Sequence, residues 1–241
     1  MITIKKLKKS FGGLIAVNDL SLDIKKGKIT AIIGPNGSGK STLFNLITGV
    51  LQQDKGKIYL GKQNISKLSV EERSKKGISR TYQNVRIFDN LSIEDHLHLA
   101  LIHKEKLLPC LLKKEEILDK KIDDTLKLVG LSINKKTWAR ELSYGQKKLL
   151  TLATAIIYKH NILLLDEPVA GVHPTLRKKI KKILKNLGNQ NETILIVEHD
   201  MGFVKNLADE IIVLDEGKLL ARGPPKKVLN DPAVLEAYLG D

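Results

Sequence analysis

The chain of 241 residues has a single cysteine, Cys110. An internal disulfide is therefore impossible, no C-x-x-C pair is present to hold a metal, and a reducing cytoplasm is the fitting compartment. Long apolar runs are missing too. None approaches the roughly 20 residues of a membrane span, and the opening MITIKKLKKSFGG has basic residues with no apolar stretch behind them. A soluble chain is expected, so any role at a membrane requires a partner. Acids are outnumbered, with Lys+Arg 41 against Asp+Glu 27 and a formal charge of +14. A basic field concentrates polyanions, which raises nucleic acid or an acidic membrane surface as partners. Against this, the excess is nearly all lysine and is spread along the chain, the pattern of solvated helix faces. No internal repeat is visible.

The length suits one α/β domain with a full core, or a core carrying a smaller lobe. Apolar stretches at Leu20–Ile24 and Ile29–Ile33 flank the turn Lys25-Lys26-Gly27-Lys28 and read as strands, as does Ile58–Leu60 before Gly61. Ser41 to Val50 reads as a helix closed near Gly49. From about Asn84 to Tyr158 the character turns helical. Ser92-Ile93-Glu94-Asp95 fits a capping box opening a helix through His103, and Glu115 to Val129 repeats apolar residues at helical spacing before Gly130. Strands return at Ile162–Leu165, Thr193–Val197 and Ile211–Leu214, with a helix from Pro174 to Leu187 after the first. This alternation predicts a parallel sheet with crossover helices.

The run GPNGSGKST fills G-x-x-x-x-G-K-[ST] with Gly34, Gly39, Lys40 and Ser41, and a strand precedes it and a helix follows. Glycines let backbone N–H groups turn inward on phosphate oxygens, and the helix N-terminus adds a positive end. Lys40 is placed to reach the β- and γ-phosphates and Ser41 to ligate Mg²⁺. Asn36, Gly37, Ser38 and Thr42 complete the candidate cradle, and ATP is the expected ligand. A second acidic element follows Ile162-Leu163-Leu164-Leu165, where Asp166 and Glu167 stand at a strand end. Asp166 suits Mg²⁺ held through water. Glu167 suits a base for the attacking water.

These motifs, taken in order, resemble the nucleotide-binding subunits of ABC transporters over essentially the whole chain. The resemblance rests on the loop at Gly34, on Gln83, on LSYGQ at Leu142 to Gln146, on the LLLLDEP segment ending at Pro168, and on His199 in VEHD. It implies a P-loop NTPase core with a mixed or parallel sheet, an antiparallel β subdomain and an inserted helical subdomain. The core would comprise 1–83 and 159–241, the helical part 84–158. By the same resemblance Phe11 stacks on adenine with Val17 beside it, and Gln83 touches Mg²⁺ and water. His199 contacts the γ-phosphate and steadies Glu167. Ser143, Gly145 and Gln146 belong to a signature that closes over ATP held by a second subunit. Ser143 and Gly145 are expected just before a helix beginning near Lys147, where their N–H groups and the hydroxyl face an anion. Two departures stand out: Tyr144 where many members have glycine, and His173 where many place aspartate. His96 and His98, two apart on a helix, do not face one another as a metal pair would.

GISRTYQNVRIF, EPVAGVHP, EHDM and the ending EAYLGD are similar to the branched-chain amino-acid importer ATPases, with the lipopolysaccharide-export ATPases as the alternative. The resemblance implies ATP hydrolysis by a homodimer or a heterodimer with a second ABC ATPase. The partners would be integral-membrane permease subunits and, indirectly, a substrate-binding protein, at the cytoplasmic face of the inner membrane. Val85, Ile87, Phe88 and Leu91 are candidates for the wall of a groove that takes a short permease helix. The rival of another class is a soluble ATPase of the same family acting on nucleic acid or ribosomes. Such proteins carry two cassettes or a long coiled-coil insertion, and neither is present, so no nucleic-acid partner is expected.

Overall fold

A computed structural model describes residues 1–102 and 111–239; Cys110, the expected helix end at His103 and the closing Gly240 and Asp241 lie outside them. Two compact units are formed, one from 1–80, 161–167 and 184–241, the other from 81–160 and 168–183. This differs from the expected division in three places, at 81–83, 159–160 and 168–183. Gln83 belongs to the helical unit, where its carbonyl accepts from the Lys148 ammonium at 2.9 Å. Residues 168–183 belong there as well. Leu176 lies so close to Gly145 that an added Cβ would stand 2.7 Å from it, and Lys179 donates to the carbonyl of Gly130.

The first unit holds two sheets. β1 (Ile2–Phe11), β2 (Leu14–Ile24), β4 (Lys55–Leu60) and β5 (Gln63–Asn64) form an antiparallel sheet in the order β2-β1-β4-β5. The second runs β10-β9-β3-β8-β7-β6. In it β3 (Ile29–Ile33), β6 (Ile78–Arg80), β7 (Ile162–Asp166), β8 (Ile194–Val197) and β9 (Glu210–Asp215) are parallel, while β10 (Lys218–Gly223) pairs antiparallel. The expected mixed sheet and antiparallel sheet are both present. β3 is buried at every position, as a central parallel strand covered on both faces must be. Ile32 packs with Leu43, Phe44 and Ile47 of α1 (Lys40–Thr48) and with Ile2, Ile4 and Leu7 of β1. Ala31 and Ile33 face the other way, onto Val204, Val228 and Val234. These come from α7 (Met201–Lys205), α8 (Pro225–Val228) and α9 (Pro232–Leu239). Each such aliphatic side chain contributes about 1.5–3 kcal/mol. From α2 (Val70–Lys75), the fully buried Arg73 donates to the Leu46 and Ile47 carbonyls at the C-terminal end of α1, where a cation offsets the helix dipole.

The second unit is built from α3 (Ile93–Ile102), α4 (Leu111–Val129), α5 (Tyr144–Ile156) and the first part of α6 (Pro174–Asn189). Ile93, Leu97, Leu101, Ile122, Leu126 and Leu150 are buried at helical spacing. Ser92 and Asp95 make the expected box at the start of α3: the Asp95 N–H donates to Ser92 Oγ, and the Ser92 N–H to the Asp95 carboxylate. Gly130, at φ 66°, ends α4.

Candidate active site

The phosphate loop leaves the carboxyl end of the buried β3 and enters α1. Two of its glycines cannot be replaced without moving backbone. Gly34 sits at φ 149° and Gly39 at φ 97°, and an added Cβ would collide with the carbonyl oxygens of Leu214 and Ala16 respectively. The buried Lys40 ammonium turns back on the loop, donating to the Gly34 carbonyl at 2.8 Å, the Pro35 carbonyl at 2.7 Å and Ser38 Oγ at 3.3 Å. A lysine tied to its own loop keeps its charge at the concavity that the backbone N–H groups line. Asn36, Gly37 and Ser41 are exposed and Thr42 half-buried, so the loop rim and the Ser41 hydroxyl face solvent. A cradle of this shape, with one ammonium and a hydroxyl at a helix start, fits a phosphate chain with a magnesium ion.

Asp166 ends β7 almost fully buried, and Arg80, at the end of the neighbouring β6, donates to its Oδ2 at 2.8 Å. The same guanidinium donates to Asn45 Oδ1 and Thr48 Oγ1 of α1 and lies 5.6 Å from the Phe44 ring. Arg80 therefore ties the acidic strand to the helix that follows the phosphate loop. The segment GISRTYQNVRIF contains it without marking its partner, and the signal for that is the parallel pairing of Ile78-Ser79-Arg80 with Ile162-Leu163-Leu164.

Glu167 occupies the left-handed region at φ 45°, an uncommon conformation for a residue with a side chain. Its N–H donates to the Val197 carbonyl, so the distortion is fixed by the end of β8. His199 Nε2 stands 3.1 Å from Glu167 Oε1, with the histidine side chain 44% exposed and the glutamate 17%. An acid in a sparsely populated backbone conformation beside an imidazole at a strand end is chemically able to take up a proton.

Phe11, at the tip of the β1–β2 hairpin, is 46% exposed with the Lys9 ammonium 5.5 Å from its ring centroid. Val17 has no exposed surface and belongs to the core cluster that includes Leu20, Ile32 and Leu214. Ala16 and Val17 are buried in succession, so Val17 stands out of step with the alternation of Leu20, Leu22 and Ile24 further along the strand.

In the helical unit, α5 begins at Tyr144, not near Lys147. Ser143 is the N-cap. The Gln146 N–H donates to Ser143 Oγ at 3.4 Å, and the Ser143 N–H to Gln146 Oε1 at 2.7 Å. The spacing Ser-x-x-Gln was legible as a capping box, and it moves Gly145 inside the first turn, among the N–H groups a helix leaves unbonded. Ser143 and Tyr144 are exposed. His173 accepts from the Thr175 N–H through Nδ1 at 3.3 Å at the start of α6, a local role in place of the aspartate seen elsewhere. His96 is buried between Ser92 O and the Phe88 N–H, each bonded to a different ring nitrogen, which makes it a packing residue.

A family description for ABC transporters matches residues 17–170. The chain belongs to the ABC transporter family. A second description, of branched-chain amino acid ATP-binding cassette transporters, matches residues 218–241 of the cassette. The cassette is 36% identical to the high-affinity branched-chain amino acid transport ATP-binding protein LivG of Salmonella typhimurium, covering 100% of this chain and 98% of that one. It is 32% identical to the lipopolysaccharide export system ATP-binding protein LptB of Haemophilus influenzae, again over 100% and 98%. A solved ATP-binding cassette of an ABC transporter in its ADP conformation superposes with a TM-score of 0.87 at 34% identity, covering 100% of this chain and 99% of the other.

Proposed function

We propose that the cassette is the ATP-hydrolysing subunit of an importer for branched-chain or similar amino acids, working as a dimer on integral-membrane permease subunits. The observation that carries the hydrolytic reading is the Glu167–His199 pair at 3.1 Å, on strained backbone, beside a phosphate loop. The loop N–H groups and Lys40 bind the β- and γ-phosphates, and Phe11 stacks on the base. Ser41 and Asp166 would hold Mg²⁺, which would offset charge on the phosphates. One Asp166 oxygen accepts from Arg80, and the carboxylate would reach the ion through water. As water's oxygen bonds the γ-phosphorus and the bond to the β-phosphate oxygen breaks, Glu167 accepts the proton. With its own proton on Nε2, His199 donates to that carboxylate and fixes its direction.

Ser143 and Gly145 lie in the other compact unit, at a helix start with exposed N–H groups. In the proposed dimer they close on the γ-phosphate held by the second chain, which is either an identical copy or another ABC ATPase. Among the described residues no helix is long and apolar enough to cross a membrane, so the transport pathway comes from partner subunits and the cassette sits peripherally on their cytoplasmic face. Phe88, 65% exposed near the half-buried Val85, Ile87 and Leu91, supplies an apolar wall for a permease helix. A substrate-binding protein would act indirectly through that permease. The match over 218–241, which covers β10, α8 and α9, favours amino-acid import over lipopolysaccharide export.

Two measurements test this reading. Phosphate release by the purified chain should rise with the square of protein concentration at low concentration; a strictly linear rise contradicts the shared site. Reconstituted with branched-chain amino-acid permease subunits, the cassette should drive ATP-dependent uptake of labelled leucine. ATPase stimulation by RNA, steeply lost with salt, would instead favour a nucleic-acid role.

A further inference from the structure

The outer face of the antiparallel sheet carries a feature that ATP hydrolysis does not use. A regular strand sends alternate side chains to opposite faces. β1 breaks this rule: Ile2, Ile4 and Leu7 are buried, while Lys5 and Lys6 are both exposed and Lys8 half-buried. The cause is a bulge. Against β2, Ile4 pairs with Leu22 and Leu7 with Leu20, so two residues of β1 oppose the single Ser21, whose hydroxyl accepts from the Lys6 N–H at 2.9 Å. Against β4, Lys5 pairs with Lys57 and Lys8 with Lys55, leaving Gly56 opposite two residues.

Three residues at this place adopt positive φ: Lys6 at 47°, Asp19 at 51° and Gly56 at 88°. The first two carry side chains and are uncommon there, and a Cβ on Gly56 would strike the Lys6 carbonyl. The result gathers like charge where a sheet avoids it. Lys5 faces Lys57 directly and Lys8 faces Lys55, although like charges opposite one another destabilise a pair of strands. Together Lys5, Lys6, Lys8, Lys55 and Lys57, with Asp19, line a concavity of about 410 Å³. That volume is within the range of small-ligand sites, and the residues around it carry five ammonium groups, on stems that form most of its wall, against one carboxylate. Bulges recur where a strand must re-aim side chains toward a ligand.

We propose that this bulged face binds a small anion carrying several phosphate groups, separate from the ATP loop and not dependent on the transport reading. Multiple phosphate charges offset the repulsion within the two cross-strand lysine pairs. The anion is either free in solution or a lipid headgroup, and the test separates them.

The probe is inorganic tripolyphosphate, titrated calorimetrically into the Lys40→Ala chain so that the phosphate loop does not compete. One equivalent should bind, and the triple change Lys6→Gln, Lys55→Gln, Lys57→Gln should weaken it at least tenfold. The same triple change made with Lys40 intact should leave ATP hydrolysis and the circular dichroism spectrum unchanged, which shows that the sheet still folds. Lysine-dependent co-sedimentation with cardiolipin vesicles, whose headgroup carries two phosphates, and not with neutral ones, would assign the anion to a headgroup; lysine-dependent tripolyphosphate binding alone assigns it to a free ligand. Absence of both, equal binding by the triple variant, or loss of all binding on Lys40→Ala alone overturns the proposal. Tighter, lysine-dependent binding of an RNA oligonucleotide than of tripolyphosphate also overturns it, in favour of a nucleic-acid face.

Discussion

The two compact units hold their functional groups in opposite ways. In the sheet-containing unit the groups are constrained: Glu167 in left-handed backbone, Gly34 and Gly39 where no side chain fits, Asp166 buried against Arg80. In the helical unit Ser143, Gly145 and Gln146 sit in an unstrained capping box on an exposed helix start. Constraint belongs where a reaction needs fixed geometry, because reorganisation during the chemical step costs rate. Exposure belongs where a group must meet another chain. Substitutions in the first unit should therefore change the chemistry or stability of each chain, and those in the second should act on the pair.

The largest effect is expected from Glu167→Gln. Turnover should fall by about 10²–10⁴-fold, the range for losing a positioned base, with ATP still bound. Light scattering should then find an ATP-held dimer; normal turnover would remove Glu167 from that role. Next is Arg80→Ala, which leaves Asp166 buried and unpaired and strips Asn45 and Thr48 of a donor. Breaking a buried pair by one partner costs about 3–5 kcal/mol, or a Tm lower by about 10 °C in a chain of this size. A Tm within a degree or two of the parent would mean that the pair is not a structural tie.

Arg80 also marks the limit of what a sequence tells. The phosphate loop was legible because its spacing, its strand and its helix are local, and the acids were legible because a buried run ends in them. The partner of Asp166 lies 86 residues away in the chain, and only the sheet order joins them. The burial of Val17 follows its register opposite Lys9 of β1, not the alternation of its neighbours in sequence. α2, with its Ser69–Glu72 capping box, was not anticipated although that spacing was readable, and the helix start at Tyr144 was missed for the same reason. The assignment of 168–183 to the helical unit rests on packing of Leu176 and Lys179 against residues 145 and 130, which no local pattern announces.

Smaller effects sharpen the contrast. Phe11→Ala should weaken ATP binding by about 1–2 kcal/mol, the scale of stacking on a base, and scarcely move Tm because the ring is half exposed. Unchanged affinity would remove Phe11 from the site. Ser143→Ala removes a cap worth about 1 kcal/mol. Single-chain ATP affinity should stay as it was while paired turnover collapses; turnover that merely follows the small loss of stability would make Ser143 a cap and nothing more.

The smallest effect tests whether the helical unit's caps carry charge-dependent stability. Asp95 accepts from the Ser92 hydroxyl at 2.6 Å and from the Ser92 N–H at 2.9 Å. These bonds, the hydroxyl first, hold its carboxyl below the usual carboxylate range. A carboxylate whose pKa is depressed by folding stabilises the fold above about pH 4, its unfolded value, and that stabilisation drains away as pH falls through the lower folded value. Asp95→Asn should thus cost about 0.5 kcal/mol near neutral pH, at the low end for an exposed cap, and progressively less in acid. Urea midpoints followed by circular dichroism at several pH values measure the difference. A gap between parent and variant that persists unchanged into acid would show that the box stabilises α3 through shape and hydrogen bonding alone, without help from the charge at the helix's positive end.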